Sequence, residues 1–292
     1  MSDEIERHKK DNLRLKIDGR VYDLSDETLI MGILNVTPDS FSDGGKFFTV
    51  EDAVDRALKM ADEGAHIIDI GGESTRPGAE SVTLRDELKR VIPVISGIRE
   101  KSDVPISIDT YKSEVAREAI GAGASMINDI SGFRFNEKMA PLAAELGVPV
   151  VLMHIKGTPK DMQKDPTYDD LIGEIIDYLK GSIEIGLEAG VDFEKIIVDP
   201  GIGFGKTWDN NLTIIKKLSD FYKLGRPVLV GASQKAFIGG VTGREAGDRL
   251  WGSLGAATAS TIFGAHIVRV HDVKETKDAI DVADAILRET IK

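Results

Sequence analysis

The chain has 292 residues, 41% of them hydrophobic and 29% charged, and carries a formal net charge of -12. That acidity, with Lys and Arg scattered rather than gathered into a basic run, excludes nucleic acid as an expected partner, because like charges repel the phosphate backbone. The absence of cysteine excludes disulfides, thiolate metal sites and a Cys nucleophile, and no apolar run approaches the ~18 residues that read as a membrane span, so no membrane partner and a cytoplasmic location are expected.

Residues 1–12, MSDEIERHKKDN, form a polar leader without the apolar core of a signal peptide, and residues 13–292 are expected to fold as one domain. The stretch LRLKIDGRVYDL alternates around Asp18-Gly19, the dipeptide that suits the positive φ angles of a type I′ turn, and predicts a short N-terminal β-hairpin. From residue 29 one pattern recurs: an apolar β-rich run, a polar loop, an amphipathic helix. The strands are expected at LIMGILN (29–35), HIIDIG (66–71), PISID (105–109), SMINDI (125–130), PVVLMH (149–154), KIIVDP (195–200), RPVLVG (226–231) and HIVRVH (266–271). Between and after them, VEDAVDRALKMADEG, SEVAREAIGAG, LIGEIIDYLKGSIEIGLEAG and VKETKDAIDVADAILRET show apolar spacing of i, i+3 and i+4. Gly64, Gly123, Gly147, Gly190 and Gly264 stand where helices should close on a left-handed residue. Eight continuous apolar strands alternating with helices imply an α/β fold, a (β/α)8 TIM barrel with parallel strands covered on their outer face. A doubly wound open sheet is the alternative, but it rarely uses eight even units.

Barrels of this kind place their sites at the C-terminal ends of the strands. Here those ends are polar: Asn35, Asp69, Asp109, Asn128 with Asp129, His154, Asp199, Ser233 with Lys235, Arg269 with His271. Any one of them could cap a helix or pair with a neighbour. A whole ring of buried polar ends costs about 1–3 kcal/mol per unpaired group, which points to a ligand or to strong internal pairing. Asp109, Asn128, Asp199 and Lys235 together suit a flat heterocycle with an amidine-like edge, since a carboxylate accepts two parallel N–H bonds. STRPGA, with hydroxyls, backbone N–H groups and one Arg, suits an anion such as phosphate. GIGFGKT resembles a phosphate-cradling loop but fails its pattern, because Pro200 stands where the first glycine is required, so its glycines read as close packing at a barrel rim. His154 and His271 lack metal-ligand spacing and read as hydrogen-bonded structural side chains.

The runs GILNVTPDSFSDGG, DIGGESTRPGA, ISIDTYKSEVAREA, INDISG, VLMH, GTPKDMQ, VDPGIGFGKT, GASQKAFIG and RVHDV, in that order across residues 29 to 271, resemble the dihydropteroate synthases of the pterin-binding barrel superfamily. The resemblance implies a transferase of folate synthesis and a sulfonamide target. It would condense 6-hydroxymethyl-7,8-dihydropterin diphosphate with 4-aminobenzoate in the presence of Mg2+, as a homodimer. It also implies that Asp109, Asn128, Asp199 and Lys235 hold the pterin while Met153, Phe204 and Arg269 line it. Asn35 would face the metal and His271 the metal or the diphosphate. Thr75 and Arg76 would contact anionic groups, Phe41 and Pro77 would border the benzoate ring, and Asp39 would order near the metal. Asp39, Arg76 and Lys235 are thereby expected to be catalytic, and Ser233 to bind substrate. The residues after Ile33 and the STRPG stretch would be two loops that close over the diphosphate.

One departure stands out. The family usually has Ser-Arg-Lys where this chain has Ser233-Gln234-Lys235; if the benzoate carboxylate relies on that charge, the Michaelis constant for 4-aminobenzoate is expected to be raised, and if Ser233 and backbone groups hold it, the arginine is dispensable here. Two rival readings share the pterin set. A methyltetrahydrofolate–corrinoid methyltransferase has no diphosphate to bind, and a degenerate pterin-binding module has no reason to retain both loops.

Overall fold

The computed structural model describes residues 13–37 and 49–291. The hairpin forms as its sequence dictates: β1 (Arg14–Ile17) pairs antiparallel with β2 (Arg20–Asp23), and Asp18 and Gly19 take φ angles of 50° and 78° at the turn. Eight parallel strands follow: β3 (Leu29–Asn35), β4 (Ile67–Gly71), β5 (Ile106–Asp109), β6 (Met126–Asp129), β7 (Val150–Met153), β8 (Ile196–Asp199), β9 (Leu229–Val230) and β10 (Ile267–Val270). Their order is β8-β7-β6-β5-β4-β3-β10-β9, and a parallel bridge from Val198 to Val228 closes the ring.

The helices are α1 (Val50–Asp62), α2 (Leu84–Arg99), α3 (Ser113–Gly121), α4 (Met139–Leu146), α5 (Leu171–Glu188), α6 (Trp208–Lys216), α7 (Ala236–Thr242), α8 (Leu250–Phe263) and α9 (Val273–Arg288). Each barrel strand is followed by one α-helix except β9, which is followed by α7 and α8. Starts are fixed by side chains: Thr49 and Asp52 form a capping box on α1, while Thr83, Asp170 and Thr207 accept backbone N–H groups of α2, α5 and α6. All five glycines expected at helix ends have positive φ.

The apolar run around β9 is longer than the strand it yields. Pro227 has no N–H to give the ladder, and the N–H of Val228 donates to His266 Nδ1 at 3.1 Å instead of to a neighbouring strand. Among the described residues no helix is long and apolar enough to cross a membrane.

Strand parity places the chemistry. Outward residues such as Ile68, Ile106, Ile127, Leu152 and Val268 pack under the helices in the main core. Inward residues form rows fixed by register. At the N-terminal end Leu29, Met31, Ile67, Met126, Val151, Ile197, Leu229 and Ile267 fill the barrel, and Leu15, Ile17 and Leu24 of the hairpin segment cluster with them. The hairpin therefore plugs the bottom. Higher up, Ile33, Asp69, Ser107 and Met126 share one row, and Asn35, Gly71, Asp109 and Asn128 share the next. The interior turns from apolar to polar as it approaches the C-terminal mouth.

Candidate active site

At the mouth, Arg269 of β10 reaches across the barrel to two carboxylates. Its Nε donates to Asp69 Oδ2 and its Nη2 to Asp109 Oδ2, both at 2.6 Å. Asn128 Nδ2 donates to the same Asp69 Oδ2 at 3.1 Å. Asp199, at the end of β8, accepts the Gly201 N–H at 2.7 Å. Burial raises Asp109 to about 7, against the pull of Arg269, and raises Asp199 to about 6, against the Gly201 N–H and the nearby lysines. Burial lowers Lys235 to about 8, helped by the positive charge of Arg269.

An apolar wall faces these polar groups. Met153, Phe204, Ile130, Ile155 and Met162 cluster at the rim, and Lys235 Nζ lies 4.4 Å from the centre of the Phe204 ring. The glycines of GIGFGKT do what the failed phosphate motif suggested. A Cβ on Gly201 would stand 1.9 Å from the His154 carbonyl oxygen, one on Gly205 2.7 Å from that of Lys156, and one on Gly203 3.3 Å from Lys235 Cδ. Close backbone approach, not phosphate, requires them. Lys206, the lysine of that run, is buried behind Phe204. Its Nζ donates to the Phe204 carbonyl at 3.0 Å and to His154 Nδ1 at 2.8 Å. Burial holds Lys206 down at about 7 and His154 at about 2, so His154 is a neutral acceptor packed against Tyr178 and Tyr168. It is the structural histidine that its sequence context suggested.

On the other side of the mouth, the backbone N–H of His271 donates to Ser233 Oγ at 3.3 Å, and Ser233 Oγ lies 3.0 Å from His271 Nδ1. Burial and then Arg269 hold His271 at about 3, so the ring is neutral. Gln234, between Ser233 and Lys235, adopts a φ of 59°, and its Nε2 donates to Asp272 Oδ2 at 2.9 Å. Its amide is directed at the start of α9. Its N–H is held by Ser253 Oγ and its carbonyl by Arg249 Nη1.

The loop after β4 is anchored at its root. Glu73 accepts from Tyr111 Oη at 2.7 Å, from the Val82 N–H at 3.1 Å and from Lys112 Nζ, which also donates to the buried Glu87. Beyond this root Thr75 is half-buried while Arg76 and Pro77 are exposed; the Gly78 N–H donates to the Pro159 carbonyl at 3.1 Å. The charge of Arg76 still reaches Lys235 and His271. Asn35 lies in the same register row as Asp109, with Gly71 between them. The missing Cβ of Gly71 would sit 3.6 Å from Asn35 Oδ1 and 3.6 Å from Asp109 Oδ2. Asp39 and Phe41 lie outside the described residues.

The mouth thus brings together Asn35, Asp109, Asn128, Met153, Asp199, Phe204, Ser233, Lys235, Arg269 and His271, with Thr75, Arg76 and Pro77 on a loop above. Sequence reasoning placed Asp69 in the polar ring without assigning it a partner, and did not single out Glu73 or Lys112. Asp69 was legible by parity, two residues before Gly71 on an inward face. The Lys112 pairing joins segments far apart in sequence and left no local signal.

A family model described as pterin binding enzyme matches residues 31–271. The chain is 50% identical over 262 residues to the dihydropteroate synthase of Bacillus subtilis, covering 90% of each protein. The dihydropteroate synthase of Xanthomonas albilineans solved with 4-aminobenzoic acid superimposes with a TM-score of 0.88 at 46% identity, covering 94% of this chain and 98% of that one. The same organism's enzyme in complex with 7,8-dihydropteroate gives a TM-score of 0.84 at 43% identity, with 94% and 98% covered.

Proposed function

The chain belongs to the pterin-binding enzyme family, as a dihydropteroate synthase, and on that footing we propose that the polar mouth of its barrel is where the pterin diphosphate meets 4-aminobenzoate. The supporting observation is the convergence of Asp109, Asn128 and Asp199 from three strands on a space also faced by Lys235 and Arg269. Asp109 and Asp199 accept the N–H groups of the aminopyrimidinone edge, and Asn128 accepts one more through Oδ1. Lys235 donates to a ring oxygen or nitrogen, and Met153 and Phe204 supply apolar contact with the ring.

In the reaction the bond between the exocyclic methylene and the diphosphate oxygen breaks. The electron-rich dihydropterin delocalises the resulting cation, the arylamine nitrogen attacks the methylene, and a proton leaves the nitrogen. The arylamine is a weak nucleophile, so departure of diphosphate carries the barrier and charge neutralisation there matters most. Arg76 and Thr75 meet the leaving anion from the loop. His271 meets it from the far side. With Ser233 Oγ accepting the His271 N–H and directing its own proton to Nδ1, Nε2–H of His271 is left as a donor toward the anion. Closure of the loop keeps out water that would otherwise trap the cation as an alcohol.

The residues present fit Mg2+. Among the described residues no three carboxylates or imidazoles gather to hold a metal, but Mg2+ is commonly held by one or two protein oxygens together with waters and substrate phosphates. Asn35 offers such an oxygen beside the space that Gly71 leaves open. Mg2+ bound there would offset the charge of the departing diphosphate.

We place the enzyme in the cytoplasm on its cysteine-free composition, a location that cell fractionation would test. The active form is a homodimer paired through α8. Along this helix Trp251, Gly255, Thr258, Ala259 and Ile262 make an apolar or small-residue stripe opposite Ser253, Ala257 and Ser260, and Trp251 is 74% exposed. Light scattering of the wild type and of Trp251→Glu tests this: a dimer that becomes a monomer supports it, and a wild-type monomer contradicts it.

Activity is tested by coupled diphosphate release. Release from 6-hydroxymethyl-7,8-dihydropterin diphosphate that depends on 4-aminobenzoate and needs a higher pterin diphosphate concentration in Asp199→Ala supports the site; release unaffected by that substitution removes it.

A further inference from the structure

We propose that Asp69 is a positioning residue that fixes the donor–acceptor polarity of the pterin pocket before the ring arrives, by holding the amide of Asn128 and the guanidinium of Arg269. The inference rests on the pocket assignment made above. Asp69 lies one interior row below the ring-facing row, fully buried, and its Oδ2 receives both Asn128 Nδ2 and Arg269 Nε. A carboxylate can only accept, so the face of Asn128 turned to it must be the NH2 group. The Asn128 carbonyl oxygen is then left for the ligand, which must present a donor there. Without Asp69 the two ends of that amide are nearly equivalent in shape, and the pocket could read a donor or an acceptor equally.

Arg269 is fixed by the same device. Asp69 takes Nε and Asp109 takes Nη2, so two edges of the planar guanidinium are held and its orientation beside the ring is set. The arrangement is not what folding alone favours. Asp69 Oδ1 is buried without a partner, as is the Oγ of Ser107, its register neighbour on β5. Apolar side chains would fill that row at lower cost, as Ile33 and Met126 do on either side. What the carboxylate adds is a fixed polarity one layer above.

Asp69→Asn keeps the shape and removes the charge, leaving Asn128 free to turn over. Steady-state kinetics at a temperature where the variant stays folded should show the Michaelis constant for the pterin diphosphate raised by about tenfold or more and the constant for 4-aminobenzoate unchanged within about twofold. A merely structural Asp69 would move both constants together, and that result overturns the proposal, as does an unchanged pterin constant. Asp199→Ala, measured alongside, separates the two claims. If it too leaves the pterin constant unchanged, the pocket assignment is what fails; if it raises the constant while Asp69→Asn does not, only the role of Asp69 fails.

A second measurement needs no Asp69 variant. In wild-type protein labelled with 15N-asparagine, the Asn128 side-chain NH2, assigned by its disappearance in Asn128→Ser, should exchange slowly with water in the absence of ligand. Exchange as fast as that of an exposed asparagine contradicts a preset amide.

Discussion

Arg269 joins residues that the chain separates by 160 and 200 positions, and the groups around it carry unusual proton affinities. Asp199 and Asp109 must be ionised to accept the N–H groups of a pterin, and burial has raised them to about 6 and about 7. Lys235 must be protonated to donate, and burial has lowered it to about 8. Pterin capture therefore improves as pH rises through about 6 to 7 and fails as pH rises past about 8. A bell-shaped plot of kcat/KM for the pterin diphosphate, with its maximum between these limits, is the expected profile because this ratio reports groups of the free enzyme. A flat profile from pH 5 to about 9 would contradict it. Gln234 revises an expectation at the same scale. Its lost charge weakens the hold on 4-aminobenzoate only if the carboxylate relies on a cation at this position, and its amide donates instead to Asp272 at the start of α9. An arginine there would meet the same carboxylate, so Gln234→Arg should change the Michaelis constant for 4-aminobenzoate by less than about twofold. A fall of tenfold would restore the sequence-based reading. The residue types of the site were legible because polar groups at the ends of apolar strands are costly. Their partners were not, because neither Asn128–Asp69 nor Gln234–Asp272 has a local signature.

Among the elements, the loop after β4 couples anchoring to function. Lys112 pairs with both Glu73 and Glu87, and Glu87 is 1% exposed. Removing one partner from a buried set of charges typically costs about 3–5 kcal/mol, and Lys112 is partly open to water, so Lys112→Met should lose about 2–3 kcal/mol in denaturant unfolding. Hydrogen exchange in residues 72–80 should quicken in the same variant. Unchanged stability would mean that the two carboxylates find other partners. Diphosphate with Mg2+ should slow exchange across residues 74–79 in the wild type, since those residues lie beyond the anchored root. Equal rates with and without them would remove the gating role. The helices with strong apolar periodicity, α1, α3, α5 and α9, begin where their patterns begin. The short β9 and the paired α7 and α8 were not legible in the same way. Proline chemistry at residue 227 and the nearly uniform apolar character of α8 blur both periods.

At the scale of the whole molecule the fold separates stability from chemistry along the barrel axis. The bottom is sealed by Leu15, Ile17 and Leu24, each fully buried, while the polar mouth stands at the opposite end of the same strands. Ile17→Ala should therefore cost about 2–4 kcal/mol of stability and leave both Michaelis constants unchanged at temperatures where the protein stays folded. A change in the pterin constant would show that the plug reaches the site. The barrel was legible from eight repeats and their closing glycines, and the hairpin from Asp18-Gly19. Closure was expected from the eight even units, and the bridge between Val198 and Val228 completes it; which strands would meet there was not legible, because β9 is too short to show its pairing in sequence.

The most direct test of the account is a crystal structure of the protein with 6-hydroxymethyl-7,8-dihydropterin. The ring is expected in the barrel mouth, with its edge on Asp109, Asn128 and Asp199, the Asn128 carbonyl oxygen facing a ring N–H, and Lys235 within hydrogen-bond distance. A ring bound elsewhere, for example in the outer groove between α3 and α4 near Arg117 and Pro141, or an Asn128 amide turned with its NH2 to the ring, would contradict it.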